Sequence, residues 1–179
     1  MNNHIYIEKS ELCIMSTGGT IEKTYDEEDG ALKNIDSRLK EILVNRLRLP
    51  HTKIDFKSIM AKDSLNMTMR DREEILNSAL RIIKKDYPVV ILHGTDTLAV
   101  TAEHFFNKIK NPVAPIIFTG AMKPMGFVDS DAPQNITEAI LCTRILNPGI
   151  YVSFHGRVFK IPNLVKNKQR GTFEGIDNV

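Results

Sequence analysis

The stretch PVVILHGTDTLAVTA, residues 88–102, joins a short apolar run, a polar turn and the first part of a helical pattern. The run Val89–His93 is apolar on both faces and rich in Val and Ile, which predicts a strand covered by helices on both sides. The turn HGTDT follows at once, and Thr97–Ile109 then has the apolar spacing of a helix. Strand, turn and helix in this order form the repeating unit of a parallel α/β sheet.

The same unit recurs along the chain. Four more short apolar runs are predicted as strands buried on both faces, namely Leu12–Ser16, Ile54–Met60, Pro115–Thr119 and Ile150–Phe154. Helical patterns separate them, beginning at Asp36 as a cap, at the capping box Thr68 and Asp71, and at Asp131-Ala132-Pro133. The predicted fold class is therefore α/β: a mainly parallel sheet with helices on both faces, a Rossmann-like three-layer domain.

Bulk properties exclude several classes of protein. The 179 residues fit one domain, and 42% hydrophobic with 26% charged residues is ordinary for a globular chain. A net charge of +2 is too small for a nucleic-acid footprint, and we interpret the basic cluster Lys160–Arg170 as a solvated face. No apolar run is long enough to span a membrane, so we expect neither a nucleic-acid nor a membrane partner.

Two cysteines, Cys13 and Cys142, lie in apolar runs and lack a CxxC partner. They are predicted to be reduced core residues of a cytoplasmic protein, because disulfides are rare in that compartment. No secretory signal is visible at the N-terminus. The cysteines and histidines show no spacing typical of metal ligands, so neither a metal nor an organic cofactor is expected.

Polar residues follow the predicted strands. The segments after them read STGGT, AKDS, HGTDT, TGAMKP and FHGR. Ligands of open α/β sheets bind at the carboxyl ends of the strands, so this edge is the predicted binding site.

The HGTDT turn has the groups needed to hold a zwitterion. Gly94 allows the backbone to approach a ligand, Thr95 offers a hydroxyl, and Asp96 offers a carboxylate for an ammonium group. Thr97 is predicted to cap the next helix, whose N-terminus favours anions. The alternative is that Thr95 and Asp96 are only turn and cap residues.

The segment STGGTIEK, residues 16–23, matches neither a dinucleotide fingerprint nor a P-loop. It leaves Thr20 on a glycine-preceded loop, where its hydroxyl could approach a substrate carbonyl once a base or proton path activates it. Tyr25 could provide that path, or it could be a loop aromatic without a role. Thr95 also needs an activator, and a lysine can serve. The candidates are Lys166, Lys160 and Lys168, among which the sequence alone does not choose.

Three segments together carry a family resemblance. TGGTI, HGTDTLAVTA, and TGAMKP followed by SDAPQNITEAI resemble the bacterial-type L-asparaginase/glutaminase family, in the same order. The resemblance covers about residues 10 to 175 and matches the family's N-terminal domain only. It implies that residues 1–179 form an asparaginase-like N-terminal α/β domain and that the family's smaller C-terminal domain is absent.

The resemblance also implies roles for single residues. Thr20 matches the nucleophile on a mobile lid, and Tyr25 matches the lid tyrosine. Thr95, Asp96 and Lys166 match a second catalytic group, in which the lysine accepts a proton through the threonine and the aspartate holds the pair and the substrate's ammonium.

Further positions are implied to bind substrate. Asp63 and Ser64 match the segment that holds the α-carboxylate, Gly94 belongs to the HGTDT turn, and the backbone of Ala121 matches the position beside the side-chain amide. Leu65 is a departure, because many members have Gln or Ser there.

The implied reaction is hydrolysis of asparagine to aspartate and ammonia through a threonine nucleophile, with glutamine as the other candidate substrate. The resemblance further implies a homo-oligomer whose active site receives a polar residue from a neighbour's C-terminal domain. Three alternatives stay open. They are a catalytically weak or inactive amino-acid-binding domain, a fragment of a longer enzyme with an exposed apolar patch near its C-terminal end, and a nucleotide-binding domain.

Overall fold

The computed structural model describes residues 10–34, 39–83 and 87–176. The strands in these ranges are β1 Ser10–Ser16, β2 Thr24–Asp26, β3 Ala31–Lys33, β4 Thr52–Ser58, β5 Val89–Leu92, β6 Pro115–Thr119, β7 Gly149–Phe154, β8 Arg157–Lys160, β9 Leu164–Asn167 and β10 Thr172–Gly175. The helices are α1 Leu39–Arg46, α2 Met69–Ile83, α3 Leu98–Lys108 and α4 Ala132–Ile145, with 3₁₀ turns at Thr20–Glu22 and Ser64–Asn66. The predicted cap Asp36 lies outside the described residues.

Six strands form one sheet in the order β4-β1-β5-β6-β7-β8. The first five are parallel, and β8 returns antiparallel to β7. All five predicted strands are present, with bounds that differ by a few residues, so the prediction of a mainly parallel sheet is confirmed.

Two apolar cores cover the sheet, one on each face. Along β5, Val89 and Ile91 belong to the core under α2 and α3, whereas Val90 and Leu92 belong to the core under α1 and α4. All four of these side chains are fully buried. Successive side chains of a strand point to opposite faces of the sheet, so a strand covered by helices on both faces is apolar at every position. The predicted three-layer architecture is therefore confirmed.

Strand β4 differs from the prediction. The run Ile54–Met60 was expected to be buried on both faces, but β4 is the edge strand, and half-buried and exposed positions alternate along it. Ile54 and Phe56 pack against one core, while Asp55 and Lys57 are exposed on the other face. The expectation was wrong because a strand at the sheet edge is covered on one side only, which the alternation of apolar and charged residues in KIDFK already follows.

Two short hairpins lie outside the main sheet. Strand β2 pairs antiparallel with β3, and β9 pairs antiparallel with β10. Neither hairpin was predicted from the sequence. They matter because one follows the Thr20 turn and the other contains Lys166.

The predicted capping box at the start of α2 is confirmed. The Thr68 N–H donates to Asp71 Oδ2 at 2.7 Å, and the Asp71 N–H donates to Thr68 Oγ1 at 3.4 Å. Lys62 Nζ lies 2.7 Å from the same carboxylate, and together with the Thr68 donors it lowers the pKa of Asp71 to about 2. The box satisfies donors that the first helical turn otherwise leaves unpaired.

Thr68→Ala is expected to lower the free energy of unfolding by about 1 kcal/mol, the usual cost of losing a threonine cap. Urea unfolding followed by circular dichroism measures this change. Thr137→Ala is the matched control, because the Thr137 hydroxyl only donates to Pro133 O inside α4. Equal decreases in the free energy of unfolding of the two variants would show that the capping bonds of Thr68 do not stabilise the protein more than an ordinary threonine does.

The sheet order fixes where a ligand can bind. The chain leaves β1 toward β4 on one side and later enters β5 on the other side of β1. Connections that diverge in this way open a crevice at the carboxyl ends of the two strands. The segments that meet there begin at Thr17 and His93. In the described residues no helix has the length and apolar character of a membrane span.

Candidate active site

Glycines let four strand-end loops approach each other closely. A Cβ on Gly19 would lie 2.4 Å from Gly94 Cα, and a Cβ on Gly94 would lie 2.6 Å from Ser64 Oγ. A Cβ on Gly120 would lie 2.3 Å from His93 O. The loops after β1, β5 and β6 therefore pack backbone to backbone, and the Ser64 side chain of the loop after β4 packs on Gly94, so any side chain at these glycines would collide.

The Thr20 turn is fixed by its own backbone. Gly18 and Gly19 have φ values of 93° and 82°, in the left-handed region that favours glycine. The Gly18 N–H donates to Glu22 Oε1 at 2.7 Å, and the Lys23 N–H donates to Thr20 O at 3.1 Å. Thr20 is half-buried at the first position of this 3₁₀ turn, beside the crevice.

Lys166 lies between Thr95 and Asp96. Its Nζ is 2.7 Å from Thr95 Oγ1 and 2.8 Å from Asp96 Oδ1. Thr95 is buried, and the Lys166 side chain is only 16% exposed. The rival lysines, Lys160 and Lys168, are both exposed. Geometry thus selects Lys166 as the lysine beside Thr95, which the sequence alone did not.

The β9–β10 hairpin holds Lys166 in place. Phe173 of β10 is paired in register with Lys166 and is fully buried in the core under α2 and α3. Its ring meets Phe154 of β7 edge to face, with centroids 5.0 Å apart. This aromatic contact anchors the hairpin and with it the lysine.

His93 supports the HGTDT turn from inside the protein. The ring is fully buried, with Nδ1 2.8 Å from Gly94 O and Nε2 2.9 Å from Thr101 Oγ1. A carbonyl oxygen only accepts, so Nδ1 is the ring's donor and Nε2 accepts from the threonine. Burial lowers the pKa of His93 to about 4, with the charge of Arg72 acting in the same direction. His93 is therefore a neutral anchor for the turn.

Stability is expected to fall on acidification because of His93. The unfolded imidazole has a pKa of about 6.5, so between about pH 6.5 and 4 the unfolded chain binds more protons than the folded one. Urea unfolding at pH 6.5 and pH 4.5 measures the loss. His93→Gln should reduce that loss by about 2 kcal/mol relative to the parent. An unchanged pH dependence in the variant would contradict the assignment.

The loop containing Ala121 is held by α4. Ala121 is buried, and the N–H groups of Met122 and Lys123 each donate to the Asp131 carboxylate at 3.0 Å. Asn135 Nδ2 donates to the same carboxylate at 2.9 Å and to Gly120 O at 3.0 Å. These contacts fix the backbone that follows β6. The sequence pattern marked Asp131 only as a helix start and gave Asn135 no role.

Thr97 does not cap α3 through its side chain. It occupies the position before the helix, but its hydroxyl donates to Ser64 O at 2.8 Å, and it makes no side-chain capping bond. The capping prediction was wrong because a partner from the loop after β4 competes for the hydroxyl. This bond joins the HGTDT turn to the segment that contains Asp63 and Ser64.

Residues 11–177 match the family model described as Asparaginase, N-terminal. The chain belongs to the asparaginase N-terminal family. It is 34% identical over 149 residues to the L-asparaginase of Thermococcus kodakarensis. The alignment covers 83% of this chain and 45% of that protein. It is also 34% identical over 140 residues to a glutamyl-tRNA(Gln) amidotransferase subunit of Sulfurisphaera tokodaii. That alignment covers 76% of this chain and 31% of the subunit.

Solved asparaginases share the fold. The thermostable L-asparaginase from Thermococcus kodakarensis superposes with a TM-score of 0.85 at 31% identity, over 94% of this chain and 52% of that one. L-asparaginase I from Vibrio cholerae gives a TM-score of 0.80 at 23% identity, which shows the fold alone. The chain spans about half the length of these solved chains, and less than half of the two curated relatives.

Most positions assigned through the asparaginase resemblance lie at the one crevice. Thr95, Asp96 and Lys166 are joined by hydrogen bonds, and the Gly19–Gly94 contact brings the Thr20 turn next to them. Ser64 lies against Gly94, and Ala121 lies on the loop whose Gly120 meets His93.

Tyr25 lies apart from this asparaginase-family group. It is 60% exposed on β2, and a Cβ on Gly30 would lie 3.7 Å from its hydroxyl. With Ile21 and Phe127 it lines a cavity of about 230 Å³. Within the described residues no hydrogen bond joins Tyr25 to Thr20 or Thr95. Its role as lid tyrosine stays a prediction.

The asparaginase-family segment Asp63-Ser64 combines a fixed carboxylate with a buried hydroxyl. Asp63 Oδ1 accepts from the Leu65 N–H at 3.1 Å, which is the main cause of its lowered pKa. Ser64 Oγ is buried and has no hydrogen-bond partner in the described part of the chain. Leu65 is 69% exposed and supplies no polar side-chain group. The described residues thus leave one buried hydroxyl of this segment without a hydrogen-bond partner.

No metal site is formed by the residues described. Within the ranges 10–34, 39–83 and 87–176, no group of three or more His, Cys, Asp or Glu side chains is placed to hold a metal ion.

Proposed function

We propose that this chain is an amidohydrolase that converts L-asparagine to L-aspartate and ammonia, with Thr20 as the nucleophile. The observation that carries the proposal is the hydrogen-bonded group of Lys166 with Thr95 and Asp96, next to the Thr20 turn. A hydroxyl needs an activating partner to act in acyl transfer, and a lysine that bonds a second hydroxyl offers a proton path.

In the proposed reaction, Thr20 Oγ1 attacks the side-chain amide carbon of asparagine. Its proton passes to the leaving nitrogen, so ammonia departs when the C–N bond breaks and an ester to Thr20 remains. Water then attacks the ester carbon. Lys166, in its amine form, takes a proton of this water by way of Thr95, and a proton returns to Thr20 Oγ1 as the ester C–O bond breaks. Aspartate and the free threonine result. Tyr25 assists proton transfer at Thr20 when the lid closes.

Electrostatic stabilisation comes from the backbone of the crevice. The negative oxygen of each tetrahedral intermediate needs N–H donors, each usually worth about 3 kcal/mol in the barrier. We assign these N–H donors to the loop that contains Ala121. The side chains of Asp131 and Asn135 hold the backbone of this loop in place. A backbone held before the substrate arrives does not have to reorganise during the reaction.

Substrate recognition uses both ends of the amino acid. Asp96 receives the α-ammonium, while the Asp63-Ser64 segment holds the α-carboxylate, with the buried Ser64 hydroxyl as a direct donor. Gly94 leaves room between them, since a side chain there would collide with Ser64 Oγ.

We also propose a cytoplasmic setting and a symmetric homo-oligomer. Both cysteines, Cys13 and Cys142, are free and buried, and burial raises the pKa of the Cys13 thiol to about 11. Inert reduced thiols fit a reducing compartment.

The test is ammonia release by this purified chain. Asparagine and glutamine are each supplied, ammonia is followed in a coupled assay, and aspartate or glutamate by NMR, with Thr20→Ala as the background. Equal amounts of ammonia and aspartate, absent in Thr20→Ala, are expected. Saturable aspartate binding without ammonia from either substrate would contradict the proposal and favour an amino-acid-binding domain.

Glutamine is the second candidate substrate. The similar proteins include an amidotransferase subunit as well as an L-asparaginase, so both amides are tested. One methylene separates the two substrates, which is worth only about 1–3 kcal/mol in a pocket. The ratio of kcat/KM for the two amides in the same assay decides between them.

Exposed apolar side chains do not decide whether the chain is a fragment of a longer enzyme. Val158, Val165 and Ile176 are exposed near the C-terminal hairpin, but so are Tyr25 and Val128 elsewhere. Repeating the ammonia assay with an added C-terminal asparaginase domain tests this alternative directly.

A further inference from the structure

Lys23 places a positive charge between the Thr20 turn and the loop after β4. Its backbone N–H donates to Thr20 O at 3.1 Å, so it closes the same 3₁₀ turn. Its Nζ lies 3.1 Å from Asp63 Oδ2, and the side chain is 26% exposed. The ammonium group is thus partly exposed and lies beside the Asp63-Ser64 segment.

The surroundings of Lys23 leave its binding capacity partly unused. Asp63 is oriented independently of it, because Oδ1 accepts from the Leu65 N–H. An ammonium group has three donors, and the described contacts of Lys23 Nζ use one of them. Leu65, which follows the unpartnered Ser64 hydroxyl, adds no polar group. Lys23 and the buried Ser64 hydroxyl are thus two side-chain donors beside Asp63 among the described residues.

Charge balance permits an anionic group of a ligand at this end of the crevice. The described site contains two carboxylate–ammonium pairs, Lys166–Asp96 and Lys23–Asp63. A ligand carboxylate next to Asp63 alone would be repelled, whereas the adjacent ammonium of Lys23 offsets that repulsion.

We propose that Lys23 binds the α-carboxylate of the amino-acid substrate and is a specificity residue for free amino acids. This inference rests on the proposed function, since it concerns the same site. Because Lys23 and Thr20 belong to one turn, a carboxylate held by Lys23 also fixes the nucleophile over the crevice. Recognition of the substrate's charged end is thereby coupled to positioning of the reacting hydroxyl.

The experiment compares two ligands that differ only in the α-carboxylate. L-aspartate has this group, and β-alanine is the same molecule without it. Calorimetric Kd values for both are measured with the parent chain, Lys23→Met and Lys23→Arg. Lys33→Met is the matched control, because Lys33 lies on the hairpin after the Thr20 turn and pairs with Asp26. Should Lys23→Met not fold, as judged by circular dichroism, Lys23→Gln replaces it.

The expected result is selective. Lys23→Met should weaken aspartate binding about 10- to 100-fold, the usual range for one charge-assisted bond, and change β-alanine binding less than about twofold. Lys23→Arg should retain most of the aspartate affinity, and Lys33→Met should match the parent. Equal weakening of both ligands would identify Lys23 as a structural latch and overturn the inference, as would unchanged aspartate binding or none in the parent.

Failure of the two proposals can be distinguished. If the parent releases no ammonia but its aspartate affinity depends on Lys23, the proposed catalysis fails and this inference stands. If ammonia release is normal and Lys23→Met binds aspartate like the parent, the catalysis stands and this inference fails.

Discussion

Lys166→Met should lower kcat for ammonia release about 1,000-fold. The variant keeps a side chain of similar length but removes the Nζ group that bonds Thr95 and Asp96. Loss of a positioned proton-transfer group usually costs about 10²- to 10⁴-fold in rate. Asp96 is also left without its partner, so KM should change as well. Initial rates across a range of asparagine concentrations separate the two effects.

Lys168→Met and Lys160→Met are the controls for Lys166→Met. Both lysines are exposed, and both were candidates for the same role in the sequence. Each variant should keep kcat within about twofold of the parent, because exposed substitutions rarely disturb a site. If Lys168→Met lost as much activity as Lys166→Met, the assignment of the proton path to Lys166 would be wrong.

Gly19→Ala is expected to lower the free energy of unfolding by about 3 kcal/mol and kcat/KM at least 100-fold. Alanine is strained at a φ of 82°, and its Cβ would lie 2.4 Å from Gly94 Cα. Two backbones have to separate, which moves the Thr20 turn away from Thr95. Displacement of a reacting group by about 1 Å costs roughly 100-fold in rate.

Gly156→Ala is the matched control for Gly19→Ala. Gly156 also has a positive φ, 75°, but a Cβ there meets nothing within 4 Å. Gly156→Ala should lower the free energy of unfolding by about 1 kcal/mol, through backbone strain alone, and leave activity unchanged. Urea unfolding and the ammonia assay on both variants separate strain from close approach. Similar losses in the two variants would contradict the packing of Gly19 on Gly94.

The sheet could be predicted because the apolar residues of its central strands indicate directly that both faces are buried. Val89–Leu92 is apolar at every position, and such a run satisfies two helix layers and little else. The capping box of Thr68 and Asp71 was equally readable, since its partners lie three residues apart. Local spacing and burial on both faces therefore determine most of the fold class.

Contacts between distant segments could not be predicted in this way. The choice of Lys166 depends on a hairpin that is 71 residues from Thr95 in sequence. The Asp131–Asn135 network forms only once α4 meets the loop after β6. Short strands such as LVKN and TFEG have no distinctive pattern, because the packing of Phe173 rather than local propensity holds them.

The separate β9–β10 hairpin makes the lysine a late addition to the site. Thr95 and Asp96 belong to the main sheet's loops, but Lys166 arrives on strands that form a sheet of their own and dock through Phe173. A ribosome releases the hairpin last among the described elements, after the whole six-stranded sheet. The residues of the six-stranded sheet are therefore synthesised before the proton path is complete, and the proposed activity requires the β9–β10 hairpin to have docked.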